Sequence, residues 1–257
     1  MIAVGFYSGP VLVTDSLIFN FDAGNDKCTD EDDEVTSMRD IGSTAHSSRT
    51  DRGITGAGTT ASFSFPTDAG ATKTIDLGIT GRNEATDATN YQNRLGLDDD
   101  ILFADGDAWS MEFWVHTRDN ATVGFQSLAG RGATSPWAIM QADGAGGFYP
   151  RFRDNDGVYR RSAGNETRTG FNDWHQIAFT CTTGRVLSFY ADGTSMGDSV
   201  TIADSQLQIN RIMAGYASGT ARYGFEGSML CARIYSKALS AAEILQNFDA
   251  TKGRVGL

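Results

Sequence analysis

The stretch Trp174 to Gly197, WHQIAFTCTTGRVLSFYADGTSMG, alternates with period two through two runs joined by a turn, and few folds accommodate that pattern. His175, Ile177, Phe179 and Cys181 fall on one face. After a turn at Thr183-Gly184, Leu187, Phe189 and Ala191 return on the same face. The pattern predicts a half-buried antiparallel hairpin, closed further on by Asp192-Gly193, a pair suited to the positive φ of a tight hairpin loop. Upstream, Met111, Phe113 and Val115 alternate with Glu112, Trp114 and His116. The tryptophan on the second face means that face is not simply solvent. Further strands are predicted at Leu17 to Phe21, at Phe63 and Phe65, at Thr74 to Leu77, Gln126 to Ala129 and Trp137 to Gln141. Another runs from Phe148 to Arg153, and a turn at Asp154 to Gly157 leads into Val158 to Arg160. Near the end, Ser240 and Glu243 form an S-x-x-E capping box, with Leu239 and Ile244 spaced for a hydrophobic staple, so one short helix starts there.

The 257 residues fit one large all-β domain, residues 12–257, with polar loop insertions near 26–54 and 82–93 and an arm at 1–11. Thirty glycines against four prolines supply turns, and a hydrophobic share of 40% supplies a core. The net charge of −11 and the absence of a basic stripe in the sequence argue against nucleic acid as a partner. No run approaches the ~18 apolar residues of a membrane span, and the N-terminus lacks the pattern of a secretory signal, which points to assembly in cytoplasm. Cys28, Cys181 and Cys231 show no metal-type spacing. A disulfide between Cys181 and Cys231 is disfavoured in a reducing compartment.

The order EFWV, WHQIAFT, LSFYADG and GSMLCARIYSKALSAAEI resembles the laminin-G-like, concanavalin A-like jelly-roll superfamily. The opening LVTDSLIFNFDAGN (Leu12 to Asn25) and the ending EILQNFDATKGRVGL (Glu243 to Leu257) are similar to the form of this module in virion proteins of tailed bacteriophages. The resemblance implies a two-sheet antiparallel jelly-roll sandwich with one short C-terminal helix. It also implies three functional settings. The first is a non-enzymatic structural protein on the virion exterior, a head decoration or appendage module assembled in the host cytoplasm and in contact with glycans. The second is a calcium-dependent carbohydrate-binding adhesin, and the third a polysaccharide depolymerase.

The residues weigh these settings unequally. Glycoside hydrolysis needs two carboxyl groups ~5–9 Å apart. The superfamily's β-glucanases place theirs in an E-x-D-x-x-E strand. Here Glu112 stands alone on its strand and Glu226 stands alone before Gly227, so hydrolysis is disfavoured. His46, His116 and His175 accompany no nucleophile motif, and His175 reads as a core or sheet-edge histidine. Calcium seeks six to eight oxygens, and the resemblance implies one ion at a sheet rim. Candidate donors are Asp98, Asp99, Asp100, Asp105 and Asp107 before the central strand, and Asp154, Asn155 and Asp156 in the hairpin. The same Asp-Asn-Asp-Gly also suits a tight turn on backbone grounds. For glycan, sugar C–H faces stack on rings while hydroxyls take hydrogen bonds. Trp137, Tyr149, Tyr159 and Tyr216 are the loop-proximal aromatics, with Arg131, Arg151 and Arg153 as donors, and each also suits ordinary packing. The apolar arm residues Ile2, Val4, Phe6 and Tyr7 imply docking onto other virion subunits or a second copy of the chain.

Overall fold

The computed structural model describes residues 10–22, 37–38, 52–53, 79–81, 95–117, 125–131, 136–142, 147–161, 169–170, 173–218, 221–225 and 227–257. The strands expected at Phe63, Phe65 and Thr74 to Leu77, the 82–93 insertion, Cys28 and His46 lie outside them. Ten principal strands follow in chain order: β1 (Leu17–Asp22), β2 (Leu95–Phe103), β3 (Trp109–Thr117), β4 (Phe125–Gly130), β5 (Trp137–Ala142), β6 (Gly147–Arg153), β7 (Trp174–Cys181), β8 (Val186–Ala191), β9 (Leu207–Ile212) and β10 (Gly227–Tyr235). One helix, α1 (Ala241–Lys252), follows them.

Every pairing among these strands is antiparallel, and they form two sheets. The first runs β1-β10-β3-β7-β8 and is extended by Thr194–Ser195, with Val200–Thr201 on β8 and Ile79–Gly81 on β10. The second begins with Tyr159–Arg160 and continues β6-β5-β4-β9-β2, with Thr169–Gly170 also on β6. This is an all-β jelly-roll sandwich with one C-terminal helix, as the alternation predicts. Directly opposed residues share a face in antiparallel pairs. The register Ile177↔Phe113, Phe179↔Met111 and Phe179↔Phe189 therefore stacks the apolar sets of three strands on one side. Phe113, Val115, Ile177, Phe179, Leu187, Phe189 and Ile234 all lie in that core and meet Ile101, Phe148, Phe152 and Ile209 of the second sheet.

The outer face of the first sheet is covered too. Ser240 accepts from the Glu243 N–H, and the Glu243 carboxylate accepts the Ser240 N–H at 2.8 Å, closing the capping box. Leu239 and Ile244 are buried together with Val13, Leu17, Ala178, Tyr190 and Tyr235, so the staple seats α1 on the sheet. The Trp114 ring stacks on Phe248 at 5.5 Å and 9°, which accounts for a tryptophan on that face. Beneath the helix, Arg233 donates to Glu112 Oε1 at 2.5 Å, and the Asn247 Nδ2 donates to Glu112 Oε2 at 2.8 Å. Asn247 Nδ2 also lies 3.0 Å from the Tyr235 hydroxyl, and its Oδ1 accepts the Val13 N–H at 2.8 Å. Burial pushes the Tyr235 phenol above its ordinary value.

Three local expectations are corrected. The run Asp98 to Asp100, expected as solvated loop, lies inside β2, at the end of the second sheet's strand order; a register shift opposite it, between Ile209 and Arg211, loosens the ladder there. An end strand tolerates charges that a central strand would reject. At the β7–β8 turn the left-handed residue is Arg185 (φ 61), beside Gly184. Its guanidinium is held by both oxygens of Asp105, with Nε at 2.9 Å, which stabilises a conformation costly for a non-glycine residue. Cys181 points into the inter-sheet core whereas Cys231 packs with Trp114 on the helix side. Both are free, opposite faces of a sheet preclude a bridge, and burial pushes both thiols up to about 12.

Candidate functional site

Tyr149, Arg151 and Arg153 occupy alternate positions of β6 and so leave the same side of the strand. Their intervening neighbours Phe148 and Phe152 are in the core. The turn after β6 is fixed by Asp154: its carboxylate accepts the Val158 N–H at 2.8 Å, and its carbonyl accepts the Gly157 N–H at 3.0 Å. Gly157 adopts φ 78, which favours glycine. The returning strand then pairs Tyr159 with Arg153, bringing Tyr159 onto the face of Arg151 and Arg153.

The result is an alternating stack of rings and guanidinium groups. Arg153 lies over the Tyr159 ring at 5.4 Å, and Arg151 lies over it also at 5.4 Å. Arg151 reaches the Tyr149 ring at 5.7 Å, and Arg161 covers that ring at 5.8 Å. Each tyrosine ring thus carries two guanidinium groups within cation–π range. Arg153 Nε also donates to the Gly157 carbonyl at 3.1 Å. Tyr149 retains 8% of its surface, while Arg151, Arg153 and Tyr159 are half-buried and Arg161 is exposed.

Three of the five residues expected to touch glycan, Tyr149, Arg151 and Tyr159, are therefore brought together. The backbone register sets Trp137 opposite Arg153 on the neighbouring strand β5. Tyr216 belongs to a separate hairpin, Ala214–Ser218 with Ala221–Gly224. Arg161 was not foreseen; the signal available was its spacing of two from Tyr159, which places both on one face if the strand continues. The sequence shows no basic stripe because Arg151, Arg153 and Arg161 are separated by a turn that folding closes.

The carboxylates expected around calcium are engaged elsewhere. Asp154 is 1% exposed, and its second oxygen accepts from Arg160 Nε at 2.6 Å. Asp105 accepts the Ser205 N–H at 2.9 Å and pairs with Arg185, which together hold its carboxyl below the ordinary carboxylate value. Asp107 accepts the Ala104 N–H at 2.7 Å, and Asp100 accepts from Gln208. Asp98 and Asp99 lie along β2, Asp156 in the exposed turn, and the Asn155 amide donates to the Gln206 carbonyl at 2.8 Å. Among the described residues no three His, Cys, Asp or Glu side chains converge as a metal cage. The donors present are turn and rim fasteners and do not fit calcium coordination.

Glu112 is fully buried under α1, on the side of the sheet away from the core. His175 Nδ1 meets Asp192 Oδ2 at 2.8 Å while its ring edge packs on Phe148, a sheet-edge histidine as read. The ring of His116 packs edge-on to Trp174. The arm residues Ile2, Val4, Phe6 and Tyr7 lie outside the described residues. The root of the arm is tied down: the Val11 carbonyl accepts from Gln246 at 2.5 Å and the Val13 side chain is buried.

Comparison with known proteins agrees with this architecture. A family model described as the concanavalin A-like lectin/glucanases superfamily matches residues 87–245, more than half of the chain. No curated protein matches the sequence. Among solved structures, Trypanosoma rangeli sialidase in complex with sialic acid aligns with 94% of this chain and 34% of its own, at 13% identity and TM-score 0.53. Domain 4 of AbnA, a GH43 extracellular arabinanase from Geobacillus stearothermophilus, in complex with arabinotriose, aligns with 92% of this chain and 100% of its own, at 13% identity and TM-score 0.52. The chain spans only about a quarter to a third of the length of the first sialidase chains it matches, 24% and 34%. At these identities the likeness is one of fold.

Proposed function

The chain belongs to the concanavalin A-like lectin/glucanases superfamily, and on that footing we propose that it is a non-catalytic carbohydrate-binding module whose contact surface is the arginine–tyrosine stack of β6 and Tyr159–Arg160. The observation that carries this reading is the stack itself. Tyr149, Arg151, Arg153, Tyr159 and Arg161 are held in one plane of contacts by a turn that Asp154 locks, and the arginines reach solvent. A fixed polar surface on a rigid sheet is what a sugar-binding face requires, because the side chains lose little entropy on contact. The solved arabinanase domain 4, which has this fold as an entire chain, carries arabinotriose and supports the same class of ligand.

Absence of turnover is part of the proposal. Its support is the placement of Glu112, which balances Arg233 beneath α1 and lies on the far side of the sandwich from the stack. Calcium dependence is left out of the reading because the oxygens of Asp105 and Asp154 already serve protein donors. Location on the exterior of a tailed-phage particle is supported by the likeness of the two ends to virion proteins. The fixed root of the arm at Val11 and Val13 would then launch residues 1–10 from the surface of α1 toward a neighbouring subunit.

The test is binding to a panel of soluble polysaccharides by affinity electrophoresis, with and without EDTA, while reducing ends are assayed in parallel. Retardation by at least one polymer, unchanged by EDTA and lost in Tyr159→Ala, supports the reading. Release of reducing ends, or binding insensitive to Tyr159→Ala and Arg151→Gln together, overturns it.

A further inference from the structure

We infer that the carbohydrate recognised at the stack is acidic, a polysaccharide bearing carboxylate or sulfate groups; this rests on the glycan-binding reading above and narrows it. The argument starts from what the rings offer. Sugar stacking needs an accessible aromatic face, but each of Tyr149 and Tyr159 has two guanidinium groups over its ring, and Tyr149 is 8% exposed. The rings are the supports of this surface and the arginines are its contact groups.

A guanidinium stacked on a ring is fixed in orientation, with its N–H groups in the plane and directed outward along its edge. That edge matches two oxygens of a carboxylate or sulfate, and the paired charge-assisted bonds are about twice as strong as neutral ones. Stacking thereby removes part of the ordering cost that a free arginine would incur on binding an anion. Neutral sugar hydroxyls gain far less from such a donor array.

Spacing favours an acidic glycan over nucleic acid. Arg151 and Arg153 are two strand residues apart, about 6.6 Å along β6, whereas duplex DNA carries a charge every ~1.7 Å and needs a long basic track to neutralise it. A polymer with a charge on each sugar or each second sugar is closer to this coarse spacing. The chain as a whole carries −11, so long-range attraction of a polyanion is absent and recognition must come from the short-range arginine contacts.

The experiment measures affinity by isothermal titration for polygalacturonate (carboxylate), dextran sulfate (sulfate), neutral dextran and galactan, and a duplex DNA of mixed sequence. The inference expects one of the two acidic polymers to bind and the neutral ones to bind at least ten-fold more weakly. Arg161→Gln, at an exposed position that folding tolerates, should reduce that affinity by about ten-fold or more. Arg151→Lys should not restore what Arg151→Gln loses, because an ammonium lacks the planar fork. Which acidic polymer binds separates carboxylate from sulfate. Binding of neutral polymers as tight as acidic ones, lost in Tyr159→Ala, overturns the acidic inference and keeps glycan binding. Tighter binding of DNA overturns it in favour of phosphate. Binding of no polymer sinks both this inference and the reading it rests on.

Discussion

Replacing Glu112 by glutamine removes one negative charge from a site where nothing else neutralises Arg233. Both side chains are buried, at 0% and 3% exposure, and their contact is 2.5 Å. Arg233 has a second, longer contact to the Thr251 hydroxyl at 3.4 Å, and its Nε has no acceptor. The variant therefore leaves a guanidinium in the interior facing only dipoles. Breaking a buried pair from one side costs about 3–5 kcal/mol. Glutamine keeps the shape and can still accept from Asn247, so the loss should fall toward the lower half of that range. With an unfolding entropy of about 2.1 cal/mol/K per residue, a 257-residue domain would lose roughly 6–9 °C in Tm for such a penalty. Scanning calorimetry at neutral pH measures this directly. The double variant Glu112→Met with Arg233→Met supplies the control, because replacing both charges by apolar groups of similar volume is often close to neutral. Polysaccharide affinity should be unchanged in the single variant, since the pair and the arginine stack lie on different sheets. A Tm within 2 °C of the parent, or a double variant as unstable as the single one, would refute the reasoning.

Gly193→Ala should destabilise the fold by more than ~1 kcal/mol, because φ is +74 and a new Cβ would sit 2.9 Å from Leu245 Cδ1 and 3.1 Å from Phe248 Cβ, prising α1 from the turn; an unchanged urea midpoint would count against the packing of α1 on that turn. Asp105 has its carboxyl held down chiefly by the Ser205 backbone N–H and then by Arg185, so its contribution is present above the ordinary value of 3.8 and is lost as pH falls through the lowered one. The difference in Tm between the parent and Asp105→Asn should accordingly shrink as pH is lowered through that range, and a gap that stays constant on acidification would show that the carboxylate charge is not responsible.

What could be read in advance was what local periodicity controls. The alternation in β3, β7 and β8 identified the core residues, since a strand's two faces are visible in any window of six residues. The capping box at Ser240 was equally visible because its partners are three residues apart. Asp98 to Asp100 misled because charge was taken as a sign of loop, and only the strand order puts that segment at the end of a sheet. Glu112 was placed on the correct face with Trp114, yet its role depends on Arg233, 121 residues away, and no spacing rule reaches that far. The candidate site divides along the same line. Tyr149 and Arg151 follow from period two, Tyr159 joins them through the turn at Asp154, and Arg161 lies beyond the predicted end of its strand. That the rings would be covered by arginines depends on side-chain geometry, which the pattern of residue types does not contain.

The seating of α1 across the first sheet also sets a timetable for synthesis. Asn247, which caps the Glu112 network, follows Glu112 by 135 residues. At ~5–20 residues per second the ribosome needs roughly 7–27 s to cover that distance. Throughout that interval β3 has been made, but its outer side, with Trp114 and the charge of Glu112, has neither Phe248 to stack on nor Asn247 and Arg233 to answer it. The nascent chain therefore carries an aromatic and charged sheet face in the open until its final segment emerges, and premature termination before α1 would yield a sandwich permanently in that condition, a ready target for chaperones and proteases.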